Sequence, residues 1–389
     1  MTERSPQEPA HAHGQAGMLA FPLAEYQARV ALLRRQMSAS GVDLLVIDEF
    51  EHLAYFTGHL PTAAMYQCCL MPVHGEPVMV VRSLDAPMLS ELSWTTDHVL
   101  FDDHEDPLAV VAKTIRARGW STSRIGIETD SHIMLVCRLE ALKAALPESR
   151  FIDFGGHMWR QRLRKSPREI DYLRQCAAIC DLATQAGIDA AGAGVPEREV
   201  AAAIYAAALR AGADNTRLVL MQSGPRSSTL HGGLGRRTLA DGDLLHIEMV
   251  PHLRGYTARS MRPVSIGRPS DAQQAAAERM VALQNEQFAA MRPGAVAGDV
   301  DRLLRQQMLD SGLTDHYTNI SGYTLGLVAI PRTSDFTRVF VPGAEWLLEP
   351  GMVFHMYTMA QGMAFSETVH VTDRGSELLT RIERRLFSA

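Results

Sequence analysis

No apolar run in this 389-residue chain approaches the roughly 20 residues that a membrane-spanning helix requires. Nor is there a basic block or an aromatic-interleaved Lys/Arg stripe. With a net charge of −6 and a pI near 6.2, nucleic acid and anionic membrane are excluded as expected partners. The five cysteines, an odd number, show no zinc-ligand spacing. Cys176 and Cys180, four apart on an expected helix, read as buried thiols packing on one face. A His-Glu-x-x-His helix, a calcium loop and a Gly-x-Ser-x-Gly elbow are all missing, and Gly232-Gly233 lacks the Gly-Lys-Ser/Thr context of a phosphate loop. Residues 1–20, rich in Pro, Gln and Gly, have neither the charged start nor the apolar core of a signal peptide. They are expected to form a disordered tail with His11 and His13 solvated, and the protein is expected to be cytoplasmic.

What is present is an ordinary globular composition, 46% hydrophobic and 21% charged, long enough for two domains. Helix and strand signals alternate from residue 21 to about 160: a helix from Leu23 to Ser40, a buried strand from Asp43 to Asp48, a short helix ending at Gly58, then strands around 68–73, 78–82, 125–128 and 151–153. This predicts an α/β N-terminal domain. At Ser166-Pro167-Arg168-Glu169 a capping box opens a long helix to about Ala191. After it, helices and strands come in runs: helices at 197–211, 271–291 and 298–311, and strands near 218–222, 244–250, 255–266, 352–357 and 364–371. An α+β domain over 161–389 is predicted.

The stretch Leu244-Leu245-His246-Ile247-Glu248-Met249-Val250 sits between an Asp-Gly turn and Pro251. As a strand it puts His246 and Glu248 on one face. An ionised carboxylate in an apolar setting needs a partner or a polar cavity. Glu248 therefore marks either a site or the wet face of an edge strand. Other polar residues stand in apolar surroundings at His231, Tyr323, His355, Tyr357 and Glu367; each alone reads as a satisfied core residue, and together they make a site only if they converge.

The order of these segments resembles the creatinase and aminopeptidase P family. The resemblance is carried by Lys165-Ser-Pro-Arg-Glu-Ile170, His246–Val250 leading to Gly255-Tyr256 and Arg262, Ser321-Gly-Tyr-Thr-Leu-Gly326, Leu348-Glu-Pro-Gly-Met352 and Ser366-Glu367, with Tyr55-Phe-Thr-Gly-His59 in the first domain. It implies a C-terminal domain with the pita-bread fold. The metallopeptidases of that family hold two metals on Asp, Asp, His, Glu and Glu. Those positions fall on Glu248, Arg259, Tyr323, Tyr357 and Glu367, so a two-metal site is not expected and no cofactor is implied. The pattern is similar to creatinase and above all to the ectoine hydrolases, although Met261 and Pro263 depart from the creatinase stretch that supplies an acidic residue.

The resemblance thus implies a metal-free hydrolase opening a C–N bond in a small zwitterionic amidine, amide or ureido substrate. Glu248, His231 and Glu367 are the expected catalytic residues: Glu248 attacks or holds the reacting carbon, His231 activates water, and Glu367 pairs with the substrate's positive nitrogen. Tyr323, His355 and Tyr357 shape the pocket, Arg259 or Arg338 clamps a carboxylate, and Tyr66 is expected to reach the site of a partner subunit in a homodimer. The rival readings are a ligand-binding protein of the same fold without turnover and a metal-dependent Xaa-Pro peptidase.

Overall fold

The computed structural model describes residues 19–61, 65–229, 231–329, 332 and 334–389, with residues 216–219 described by their backbone alone. The tail expected over residues 1–20 lies, except for its last two residues, outside them. The chain divides after Gln161 into two compact units.

In the first unit, α1 (Leu23–Ala39) is followed by β1 (Leu44–Ile47), α2 (Phe50–Thr57), β2 (Cys68–Pro72), β3 (Val78–Arg82), α3 (Ala86–Leu92), β4 (Asp97–Phe101), α4 (Pro107–Ala117), β5 (Arg124–Ile127), α5 (Val136–Ala145), β6 (Arg150–Asp153) and α6 (His157–Gln161). The strands form one mixed sheet in the order β4-β3-β2-β1-β5-β6. β2 pairs antiparallel with both β1 and β3, whereas the β1–β5, β5–β6 and β3–β4 pairs, whose strands are joined through helices, are parallel. Strand β4 carries no apolar alternation that would announce it, because it is a partly exposed edge strand.

The second unit contains α7 (Pro167–Ala190), α8 (Glu197–Arg210), β7 (Asn215–Ser223), β8 (Leu244–Leu253), β9 (Tyr256–Thr257), β10 (Ser260–Ser265), α9 (Asp271–Ala290), α10 (Ala297–Asp310), β11 (Gly322–Thr324), β12 (Val339–Phe340), β13 (Val353–Ala360), β14 (Met363–Val371), β15 (Ser376–Leu378) and β16 (Phe387–Ser388). The capping box is made as expected, with the Ser166 hydroxyl accepting from the Glu169 amide and the Glu169 carboxylate accepting from the Ser166 amide. The main sheet runs β12-β11-β13-β14-β10-β8-β7, so β8 is an interior strand and not the wet edge its polar residues allowed.

One face of this sheet is largely apolar and covered by helices. Leu245, Ile247, Met249 and Val264 pack with α7 and α8, and Phe365 and Met363 pack with α9 and α10. Each such fully buried aliphatic or aromatic side chain contributes roughly 1.5–3 kcal/mol relative to exposure. Helices α7 and α8 approach closely because Gly187 lacks a side chain: a Cβ there would stand 2.6 Å from Ile204. The thiols of Cys176 and Cys180 lie on this buried face, 3.2 Å and 3.5 Å from the Pro251 and Met249 carbonyls. Burial pushes both thiols above their usual range, so they are packing groups as the sequence suggested.

Candidate active site

The other face of the sheet carries many polar side chains, all of them buried. Strand register alone builds it: Gln222 lies opposite His246, Glu248 opposite Met261, Met261 opposite Ser366, Ser366 opposite Tyr357, Thr368 opposite His355, and His355 opposite Tyr323. Directly opposed residues in antiparallel strands share a face. Gln222, His246, Glu248, Ser366, Thr368, His355, Tyr357 and Tyr323 therefore line one polar surface across β7, β8, β14, β13 and β11.

Arg259, just ahead of β10, completes this surface. Its backbone is clamped by Thr368, whose hydroxyl accepts from the Arg259 amide at 2.8 Å and donates to the Arg259 carbonyl at 3.0 Å. Its guanidinium donates to one oxygen of Glu248 and to the Tyr323 hydroxyl. Tyr323 and His355 meet edge to face at 5.1 Å between ring centroids, and His355 stacks on Tyr357 at 5.3 Å. Five of the residues expected to form a site thus converge: Glu248, Arg259, Tyr323, His355 and Tyr357.

Burial by itself pushes the Glu248 carboxyl up, but Arg259, with help from His246 and His355, holds it down at about 2. The carboxylate is ionised across the whole physiological range. Burial, reinforced by the positive charge of Arg259, pushes His355 well below the usual imidazole range, so its ring is neutral. Burial raises the Tyr357 phenol, which stays protonated.

Many polar atoms of this surface have no hydrogen-bond partner among the described residues: Glu248 Oε2, both ring nitrogens of His246 and of His355, Arg259 Nε, Gln222 Oε1 and Ser366 Oγ. His246 Nε2 stands 3.9 Å from Glu248 Oε2, outside hydrogen-bond range. Since the great majority of buried polar groups are paired, such a concentration on one surface marks a place for a ligand or for ordered water.

Four expected site residues lie elsewhere. Glu367 points to the opposite, helix-covered face, where its carboxylate accepts from Arg262 at 2.6 Å and from the Thr380 hydroxyl. Alternation along β14 puts Ser366 and Thr368 on the polar surface and Glu367 behind it. The position matched to the last metal-binding glutamate is therefore occupied in space by Ser366. The side chain of Arg338 donates to the Thr337 carbonyl at 3.1 Å and its guanidinium lies 6.0 Å from the Trp346 ring, and it makes none of the contacts that join Glu248, Arg259 and Tyr323. Tyr66 is buried in the core of the first unit with its ring 5.2 Å from the Arg138 guanidinium, apart from the polar surface of the second unit's sheet. His231 is exposed in the loop after β7, with no hydrogen bond to Glu248. The next residue reaches the site: the Gly232 carbonyl accepts from the Gln222 amide.

Ser366 and Gln222 were not anticipated. The signal for Ser366 is the turn Gln361-Gly362. Both residues have positive φ, 51° and 76°, which makes a two-residue hairpin and fixes Ala360 opposite Met363, hence Tyr357 opposite Ser366. Gln222 gives no such signal, since its place depends on β7 pairing with a strand 20 residues further on.

A two-metal centre does not fit these residues. Of the five matched positions, Glu367 faces away and Glu248 alone offers this surface a carboxylate, which is taken by a permanent cation. No group of three or more His, Cys, Asp or Glu side chains among the described residues is placed to hold a metal ion.

Compared with known proteins, residues 29–164 match the creatinase/prolidase N-terminal domain and residues 171–373 match metallopeptidase family M24. The chain is similar to ectoine hydrolase from Halomonas elongata, with 27% identity over 95% of this chain and 98% of that one. It is also similar to creatinase from a Bacillus species, with 26% identity over 93% and 92%. Among solved structures it superposes on the dipeptidase PepE of Mycobacterium ulcerans with a TM-score of 0.80 at 25% identity, covering 95% and 99% of the two chains. The prolidase of Pyrococcus horikoshii gives a TM-score of 0.80 at 23% identity, covering 92% and 100%. The architecture is the one expected, an α/β domain followed by an α+β pita-bread domain.

Proposed function

The chain belongs to metallopeptidase family M24, and from that membership and the arrangement of its polar surface we propose a hydrolase that opens a C–N bond in a small zwitterion without a metal ion, its substrate being an ectoine-like cyclic amidine or a related amide or guanidino compound. The observation that carries this reading is the buried Glu248–Arg259 pair, set among polar atoms without partners among the described residues, where the metallopeptidases keep dications.

A carboxylate held at about 2 is a weak base but a permanently ionised nucleophile. In the proposed reaction the free Oε2 of Glu248 adds to the electron-poor carbon of the substrate, and the ring nitrogen leaves as an amine after accepting a proton. Water then releases the acyl group, so one water is added across the C–N bond in all. The family resemblance assigns activation of that water to His231, which is exposed in the loop after β7. The better placed imidazole is His246, 3.9 Å from Glu248. Tyr357 and Tyr323 donate hydrogen bonds to charge that develops on the substrate, and the Nε–H of Arg259 binds its carboxylate.

The chain has no described helix long and apolar enough to cross a membrane. In this proposal it works as a homodimer, which sedimentation tests directly. The deciding assay is turnover by pure, chelator-treated protein of a panel holding ectoine, creatine, N-acyl amino acids and Xaa-Pro dipeptides. The expected result is hydrolysis of a cyclic amidine or its relatives, indifferent to chelator and abolished in Glu248→Gln. Xaa-Pro cleavage restored by manganese would overturn the proposal, and binding of ectoine without turnover would show a ligand-binding protein instead.

A further inference from the structure

Gln222 is fully buried at the inner end of β7, with its side chain on the same polar surface as its register partner His246. Which end of its amide is which follows from its neighbour. The Gly232 carbonyl can only accept, so the contact must be made by the NH2 group, and the carbonyl oxygen is the end left over. That oxygen is buried and has no partner among the described residues.

The carbonyl that sets this orientation is itself fixed. Buried Glu197, at the start of α8, accepts from the Ser223 hydroxyl at 2.6 Å, from the Arg226 guanidinium at 2.9 Å and from the Gly235 amide at 2.9 Å. Arg226 in turn donates to the Gly233 carbonyl at 3.2 Å. At the far end of the loop Arg237 is held by Asp243 at 2.7 Å. Gly232 is the only kind of residue that lets the loop lie against the glutamine, since a Cβ there would stand 2.5 Å from Gln222 Cγ. The Gly232-Gly233 pair, unexplained as a phosphate loop, thus serves a close approach of backbone to a side chain.

We infer that Gln222 is a specificity-determining residue of the proposed hydrolase: its side-chain oxygen, locked as an acceptor by the Gly232 carbonyl, reads an N–H of the substrate's reacting C–N group. A side chain held so that it can only accept favours a substrate carrying a hydrogen on that nitrogen over the same compound with the hydrogen replaced by methyl. This rests on the proposed function, and the experiment separates the two.

Steady-state kinetics are measured for wild type, Gln222→Met and Gly232→Ala on ectoine and on its two singly N-methylated derivatives. Gln222→Met keeps the volume and removes the acceptor, whereas Gly232→Ala keeps the glutamine and displaces it. On ectoine both variants are expected to lose tenfold or more in kcat/KM. On one of the two N-methyl compounds wild type falls to the level of the variants, and the variants lose less than twofold relative to wild type. Equal losses on all three compounds, or no loss on ectoine, would overturn the inference. Should either variant fail to fold, as judged by circular dichroism, the other carries the test; if both fail, the glutamine is part of the fold and the inference is wrong. If wild type acts on another member of the panel, the comparison is made on that compound and its N-methyl derivative. Wild type that turns over no member of the panel fails the proposed function first, a result distinguishable from loss of N–H discrimination in an active enzyme.

Discussion

Arg259 and Glu248 form a solvent-free ion pair in which one guanidinium nitrogen serves one carboxylate oxygen and the other carboxylate oxygen is left free. Breaking a buried pair from one side strands the remaining charge, at a cost of about 3–5 kcal/mol. Arg259→Met is therefore expected to be destabilised by about that amount in urea denaturation. The double variant Arg259→Met/Glu248→Gln should recover most of the loss, because it removes both charges.

The two units should respond to pH in opposite directions. Glu248 in the second unit is held at about 2 against an ordinary 4.5. Its stabilising contribution is present above the unfolded value of 4.5 and is lost as the pH falls through the folded value near 2. Asp48 in the first unit is raised from 3.8 to about 7, mainly by burial and further by Glu128 and Glu49, against a hydrogen bond from Ser131 at 2.8 Å. Its contribution is full below 3.8 and is lost as the pH rises through 7. Calorimetric midpoints should thus show Glu248→Gln losing its deficit against wild type between pH 4.5 and 2, and Asp48→Asn gaining several degrees over wild type at pH 8 but not at pH 4. A pH-independent difference in either variant would contradict the assigned environments.

The strands of the site were legible in the sequence because their polar residues interrupt apolar runs, and the capping box at Ser166 and Glu169 announced α7. Faces across strands were less legible. Matching a motif points to Glu367, whereas the hairpin turn at Gln361-Gly362 turns it to the back and brings Ser366 forward. Arg338 is suggested by its chemistry and Tyr66 by the resemblance, and neither carries a pattern that tells its surroundings: Arg338 turns to the Thr337 carbonyl and Tyr66 packs within the first unit's core. Gln222 and Gly232 become partners only through tertiary contact, which no local pattern carries.

Glu367 should prove to be a residue of stability. Its partner Arg262 also donates to the Ser366, Ile382 and Glu383 carbonyls, at 2.9, 2.7 and 2.9 Å, and so ties the last segment of the chain to β10 and β14. Removing the carboxylate leaves Arg262 buried and uncompensated. Glu367→Ala is expected to lower stability by about 3–5 kcal/mol, while the folded fraction retains kcat within a few-fold. A variant as stable as wild type but inactive would restore Glu367 to the chemistry.

The same surface gives a test of why the metals do not fit. Divalent cations of the two-metal kind need several carboxylates, and this surface offers one, already neutralised by Arg259. Titration calorimetry of wild type with manganese is expected to show no binding at millimolar metal. Replacing Arg259 alone by Asp should not suffice, because Tyr323, Tyr357 and Ser366 still offer only neutral oxygens. Arg259→Asp combined with Tyr323→His, Tyr357→Glu and Ser366→Glu supplies a complete donor set around Glu248, and this variant is expected to bind manganese. The same combination built with Thr368→Glu and native Ser366 would add its carboxylate beside the Arg259 backbone instead of opposite Tyr357, and it should bind more weakly. Equal affinity of the two would mean that Ser366 is not the position that faces Tyr357 and Glu248 in the way the strand register requires.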